Sequence, residues 1–353
     1  MATYRNLHAA LPEELDALLT DGMAQDSRNG DTVELLHHTI KLERPWERFQ
    51  FHAMRADNPF AKVAEALWVL AGRNDATWLA RYLPRATQFA DDGETWRAGY
   101  GPRLRQWAAT SHGALVPPNW PVDQLDTVRE RLLRNLDDRR AVVSLWDPYE
   151  DGTTKESKDF PCNNWLHFLV RDERLHLAVA VRSNDAWWGW SGINTFEFSV
   201  IQEAMATWLD VGIGSYTSFA SSFHLYERHW QAAHAVATSL AVDAYGIPVQ
   251  YTSAARHIPW DVPWHNLEEA LTDFFAREHN LAHGRLSIEE AGFTRSAWLN
   301  AALRMLAVWW ALKLERSSEE IDTLLAAIQP SDFKVAAAQY VQRVRGSGVA
   351  AQA

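Results

Sequence analysis

Asp159-Phe160-Pro161-Cys162-Asn163-Asn164 opens a stretch that runs through Trp165-Leu166-His167-Phe168-Leu169-Val170, Arg171-Asp172-Glu173-Arg174 and Leu175-His176-Leu177-Ala178-Val179-Ala180-Val181 to Arg182-Ser183-Asn184-Asp185. The alternating apolar residues on either side of a short polar segment predict strand, tight turn, strand. Such a hairpin can bring Cys162, the only cysteine in the chain, close to Arg182. A cation beside a thiol favours the nucleophilic thiolate. The pairing points to an enzyme.

On the N-terminal side, Pro12–Leu19 reads as a first helix, and the turn-forming residues Asp26–Asp31 lead into a strand pair. Apolar residues recur at helical spacing from Pro59 to Leu83, with Glu65 inside the first run. Residues 123–138 read as an amphipathic helix and Ala141–Trp146 as a strand. Beyond the hairpin, the pattern predicts a helix over Phe196–Leu209, a strand over Tyr216–Leu225 and a helix over 227–242. From Leu267 onward it is almost purely helical, and the series Ser287…Glu290 and Ser317…Glu320 have capping-box spacing. These features predict residues 1–262 as a catalytic domain, 263–345 as an all-α extension and 346–353 as a frayed tail.

The 353 residues are 47% hydrophobic and 22% charged, with a net charge of −11. An acidic chain lacks the charge signature of a nucleic-acid binder. No apolar run reaches membrane-spanning length, and the N-terminus lacks a signal-peptide core. A single cysteine excludes an intramolecular disulfide framework. The expectation is a cytoplasmic protein with a free thiol, without a nucleic-acid or membrane partner. The 18 tryptophans suggest extensive buried and stacking surface.

Several short segments, in order, resemble the thymidylate synthase superfamily, which includes pyrimidine nucleotide hydroxymethylases. They are Ser27-Arg28-Asn29-Gly30-Asp31, Glu65-Ala66-Leu67-Trp68-Val69-Leu70, Tyr100-Gly101, Asp138-Arg139-Arg140, Pro161-Cys162, Arg182-Ser183-Asn184-Asp185, Gly189 with Asn194, and His224-Leu225-Tyr226. The resemblance implies an α/β (α+β) fold, with a mixed twisted sheet flanked by helices and the all-α C-terminal extension added. It implies a homodimer with shared active sites, 5,10-methylenetetrahydrofolate as co-substrate and no metal. Cys162 matches the nucleophile that adds to C6 of a pyrimidine and makes C5 nucleophilic. Arg28, Arg182 and Ser183 match phosphate-binding residues of the same subunit; Arg139 and Arg140 match the pair that reaches in from the other. Glu65 matches the carboxylate that manages protons at the base, and Tyr100 the tyrosine assisting removal of the C5 proton. His224 and Tyr226 match the pair that binds the sugar 3′-hydroxyl, and Asp185 the anchor of the folate pterin.

The departures from the pattern bear on the product. Asn163 and Asn164 stand where thymidylate synthase has His after the cysteine, and Asn164 matches an Asn of phage deoxycytidylate hydroxymethylase. Asn194 lies one position beyond the family's base-reading site, as if Ser191-Gly192 carried a one-residue insertion. Its amide suits uracil and, flipped, cytosine. Ser221-Ser222-Phe223 replace the glycine and aspartate before His-x-Tyr, and the short apolar closing tail has no counterpart. That tail excludes water while hydride moves, so its loss favours a 5-hydroxymethyl product over a 5-methyl one. The preferred expectation is therefore hydroxymethylation of dUMP, with dCMP or CMP open. Reductive methylation to dTMP is the alternative, and an inactive homologue acting as a binding module the second.

Overall fold

The computed structural model describes residues 1–27, 29–107, 121–239, 251, 256–285 and 295–347. Its strands are β1 (Ala2–Tyr4), β2 (Met23–Gln25), β3 (Thr32–Leu42), β4 (Val142–Ser144), β5 (Asn163–Arg171), β6 (Arg174–Asp185) and β7 (Gly212–Tyr226). Its helices are α1 (Leu7–Asp21), α2 (Pro59–Leu70), the short α3 (Ala76–Leu79) and α4 (Ala86–Phe89), α5 (Tyr100–Arg105), α6 (Gln124–Arg134), α7 (Thr195–Trp208), α8 (Trp230–Ser239), α9 (Leu267–Ala282), α10 (Ala297–Lys313), α11 (Ser318–Ala327) and α12 (Asp332–Ser347).

The strands form one mixed sheet in the order β1-β3-β7-β6-β5-β4, with β2 on the same edge of β3 as β1. β6 and β7 run parallel, as do β1 and β3, and the other pairs are antiparallel. The expected hairpin is β5–β6. Arg171 pairs with Arg174, and the intervening Asp172 and Glu173 both take positive φ, the geometry of a two-residue type I′ turn that matches strand twist. Past the far end of this ladder the Arg182 N–H donates to the Cys162 carbonyl at 2.9 Å. Register alone thus sets the thiol beside the guanidinium.

Local chemistry fixes the helix starts. Asn58 accepts from the Ala61 N–H with Pro59 at the first helical position of α2. Asp123 caps α6, Ser296 caps α10, and Ser317 with Glu320 forms the expected capping box of α11. The other capping-box series, 287–290, lies outside the described residues. The helical spacing over 59–83 does not make one helix. Ala71 closes α2, Gly72 takes φ +72°, and the chain restarts at α3. The predicted frayed tail also begins late, because α12 continues through Ser347; residues 348–353 lie outside the described residues.

Alternate residues of the central strands (Leu166, Phe168 and Val170 on β5; Leu175, Leu177 and Val179 on β6) enter a hydrophobic core that continues past residue 262 into α9–α12. The Phe60 ring of α2 meets Trp309 of α10 at 5.4 Å and Tyr340 of α12 at 5.0 Å. Glu278 of α9, fully buried, accepts from the Trp78 indole at 2.9 Å and the Tyr82 hydroxyl at 2.7 Å. The opposite sheet face leaves Val142, Trp165 and Phe219 exposed. Among the described residues no helix is long and apolar enough to cross a membrane.

Candidate active site

The loop that delivers Cys162 is anchored by arginines, of which Arg103 is buried. Asp151 accepts from Arg103 through both oxygens, at 2.6 and 2.9 Å, and from Arg97 at 2.9 Å. Arg97 also donates to the Asp159 carbonyl at 2.6 Å, and the Ala98 N–H to the Asp159 carboxylate at 2.9 Å. Arg182 donates from Nε to the Pro161 carbonyl at 2.9 Å and from Nη2 to the Phe160 carbonyl at 3.3 Å. The same Nη2 lies 3.7 Å from Cys162 Sγ.

The thiol's charge state differs from the expectation drawn from this pairing. Burial pushes the Cys162 thiol up. Arg182 pulls it down, while Asp159 and Asp185 add to the upward push. The neighbouring cation is present, but desolvation outweighs it.

Behind the thiol, Asn163 and Tyr100 are joined. The Asn163 side chain donates to Tyr100 Oη at 2.8 Å and its backbone N–H to the same oxygen at 3.2 Å. Burial raises the Tyr100 hydroxyl above its usual range, with further upward contributions from Cys162 and Glu197. Asn164 turns the other way at a bulge in β5. It lines an open concavity of about 700 Å³ on the exposed sheet face, with Val142, Ser144, Trp146, Trp165, His167 and Arg182. The asparagine beside Tyr100 is thus Asn163, which no sequence match singled out. The glycine of Tyr100-Gly101 has a packing reason: a Cβ there would come within 2.2 Å of the Arg73 carbonyl oxygen.

Glu65 is buried on α2 with one oxygen lacking a hydrogen-bond partner among the described residues. Burial pushes its carboxyl up to about 8. Next to it in the packed core lies Glu197 of α7, a residue the sequence reading passed over. Its only sequence signal is a carboxylate between Phe196 and Phe198.

Asp185 begins a π-helix, Ala186–Asn194, by accepting from the Trp187 N–H at 2.9 Å. A wider i→i+5 turn accommodates one extra residue in a helical path, and Asn194 closes this helix where α7 begins. Lys62 and Gln50 pin this helix through the Ser191 carbonyl, at 3.1 and 2.6 Å. Arg55 does the same through the Trp187 carbonyl, with its guanidinium over the Trp187 ring. A Cβ at Gly189 would meet Asn184 Oδ1 at 2.9 Å and Asn194 Nδ2 at 3.6 Å, so both amides lean against this glycine.

At the end of β6, Ser183 pairs in register with Ser222 and Asp185 with His224. The His224 and Tyr226 rings meet edge to face at 5.2 Å, and Arg228 lies over Tyr226 at 3.9 Å. Burial pulls the His224 imidazole down, against the opposing influence of Asp185. The Ser222 hydroxyl, on the segment that departs from the family pattern, donates to Glu34 at 2.5 Å. Arg28 lies outside the described residues.

Arg139 and Arg140 are not near Cys162 of the same chain. The Arg139 carbonyl lies 3.0 Å from His167 Nε2, and at ~3.3 Å per strand residue His167 is roughly 17 Å along β5 from Cys162. Arg140 is exposed and holds Asp138 with two bonds, at 2.9 and 2.8 Å.

A lone thiol beside a guanidinium at the end of a mixed sheet, with the tyrosine of α5 and the buried carboxyl of α2 on the flanking helices, defines a nucleophilic group-transfer enzyme. The chain belongs to the thymidylate synthase family, whose model it matches over residues 12–248, and is a one-carbon transferase. It is similar to the deoxyuridylate hydroxymethyltransferase of Pseudomonas phage M6, with 32% identity covering 97% of this chain and 94% of that one. It is also similar to the deoxyuridylate hydroxymethyltransferase of Bacillus phage SP01, with 40% identity over 60% of this chain and 55% of the phage protein. With the protein of the same description from Delftia phage PhiW-14 it shares 29% identity over 70% of this chain and 69% of the relative. The chain therefore spans about half the length of the SP01 relative and nearly all of the M6 one.

Proposed function

We propose that this enzyme transfers a one-carbon unit from 5,10-methylenetetrahydrofolate to C5 of a pyrimidine nucleoside monophosphate and releases the 5-hydroxymethyl nucleotide, with dUMP as the preferred substrate. The observation that carries the reading is Cys162 Sγ at 3.7 Å from Arg182, with the half-buried Tyr100 joined to Asn163 and Glu65 buried on α2. The described relatives, deoxyuridylate hydroxymethyltransferases by name, support the substrate and the product.

In this reading Cys162 loses its proton as sulfur bonds to C6, and C5 becomes the nucleophile. The folate supplies the carbon that C5 attacks. Loss of the C5 proton and departure of tetrahydrofolate leave an exocyclic methylene on the ring. Water oxygen bonds to that methylene, its proton passes to a carboxylate, and the electron pair moves through the ring to expel sulfur from C6. Arg28, Arg182 and Ser183 hold the phosphate, His224 and Tyr226 the sugar, Asn194 the base and Asp185 the pterin. Asn164 takes the catalytic position after the cysteine that its match to the hydroxymethylases implies.

The proposal includes a cytoplasmic homodimer, with residues 263–345 as a helical buttress on the catalytic residues 1–262. Two features support dimerisation through the sheet: the exposed apolar residues Val142, Trp165 and Phe219, and the distance of Arg139 and Arg140 from their own Cys162. A partner's pair would complete the phosphate site.

Incubation with methylenetetrahydrofolate and dUMP, dCMP or CMP in parallel, followed by mass spectrometry, tests the reaction. The expected product is dUMP heavier by one formaldehyde, with tetrahydrofolate released. A 5-methyl nucleotide with dihydrofolate would overturn hydroxymethylation.

A further inference from the structure

Glu197 sits in the first turn of α7, which packs against α2, and is 0% exposed. Neither of its carboxyl oxygens has a hydrogen-bond partner among the described residues, and one oxygen of Glu65 is in the same condition. Asn163 Oδ1, on the residue joined to Tyr100, is also buried without a partner among the described residues. Buried polar atoms are rarely left so, and a group of them on elements that pack together marks a place where protons or water are handled.

The charged surroundings are one-sided. Glu65 is the charged group that acts on Glu197 and pushes it further above the ordinary carboxyl range, in which burial already places it. Glu197 in turn bears on Tyr100 of α5 and Tyr216 of β7. The cations of the adjoining elements are engaged elsewhere. Lys62 on α2 pairs with Asp57, and Arg48 with Glu203. Two carboxyl groups that share a site without a cation cannot both ionise near neutral pH.

We propose that Glu197 is a positioning residue for this reaction: it keeps its proton when Glu65 ionises, so that Glu65 meets the reacting water as a base with an acid beside it. The inference rests on the hydroxymethylation proposed above. As water oxygen bonds to the exocyclic methylene, the water's proton passes to Glu65, and the electron pair leaves through C5–C6 with the Cys162 sulfur. The proton already on Glu197 holds the Glu65 carboxylate in place before the transfer.

The test combines kinetics with a proton count that needs no turnover. Glu197→Gln should bind dUMP within about twofold of wild type, with kcat lowered at least ~10-fold and the two ionisations of the pH–kcat profile reduced to one. Infrared difference spectra taken just above the Glu65 ionisation at about 8 should show a protonated carboxyl in wild type that Glu197→Gln lacks. Wild-type kcat, profile and infrared band in Glu197→Gln would overturn the dyad. Should wild type make no hydroxymethyl nucleotide, the reaction proposal fails separately, and the infrared comparison still decides the proton on Glu197. If Glu197→Gln does not fold, Glu197→Asp decides: two retained ionisations uphold the dyad, and a single one overturns it.

Discussion

Replacing Cys162 by Ser should lower hydroxymethyl nucleotide formation by at least about 10⁴-fold while leaving dUMP affinity within a few-fold. The two effects separate because the sulfur forms the covalent bond, whereas the expected phosphate, sugar and base contacts lie on other residues. Serine nearly preserves the volume, and Cys162 lies at the rim of the core packing rather than within it, so the fold should survive. Steady-state kinetics and equilibrium dUMP titration check the pair of outcomes. A serine variant that keeps a tenth of wild-type turnover would remove the nucleophile from the account.

Glu65→Gln should lower kcat by about 10²–10⁴-fold, the usual range for a positioned acid or base. It should also change stability in a pH-dependent way. The carboxyl titrates near 4.5 when unfolded and at about 8 when buried, so the folded state binds the extra proton between those values. Its contribution to stability is fully present below about 4.5 and is lost as pH rises through about 8. Within that window the loss is about 1.4 kcal/mol per pH unit. Gln carries no such penalty. Thermal melts should therefore find the variant increasingly more stable than wild type from pH 5 to pH 8. A constant difference in Tm across that range would show that Glu65 is ionised in the folded protein.

The hairpin, the long helices and the all-α C-terminal region were legible because each has a clean period: two residues for β5 and β6, and three to four for α2, α7 and α10. Turn chemistry at Asp172-Glu173 set the register that joins Cys162 to Arg182. What the sequence hid were facts of three-dimensional environment. The charge state of Cys162 depends on burial and on Asp159 and Asp185, which local spacing cannot reveal. Asn163 and Asn164 are neighbours in sequence, yet strand alternation and a bulge send one to Tyr100 and the other to the open sheet face. Glu197 carries no motif or spacing signal, and only the packing of α2 against α7 brings Glu65 to it. The continuity of the core across residue 262 likewise depends on Trp309 and Tyr340 reaching Phe60.

Covalent capture of the nucleotide by Cys162 is the claim beneath all of these expectations, and a 5-fluoro analogue of dUMP tests it most directly. Fluorine at C5 cannot leave as a proton does, so the reaction should stop with sulfur still bonded to C6. Intact-protein and peptide mass spectrometry, after incubation with the analogue and methylenetetrahydrofolate, should find nucleotide plus folate added to the peptide carrying Cys162. Unmodified Cys162 in an enzyme that converts dUMP under the same conditions would contradict the account.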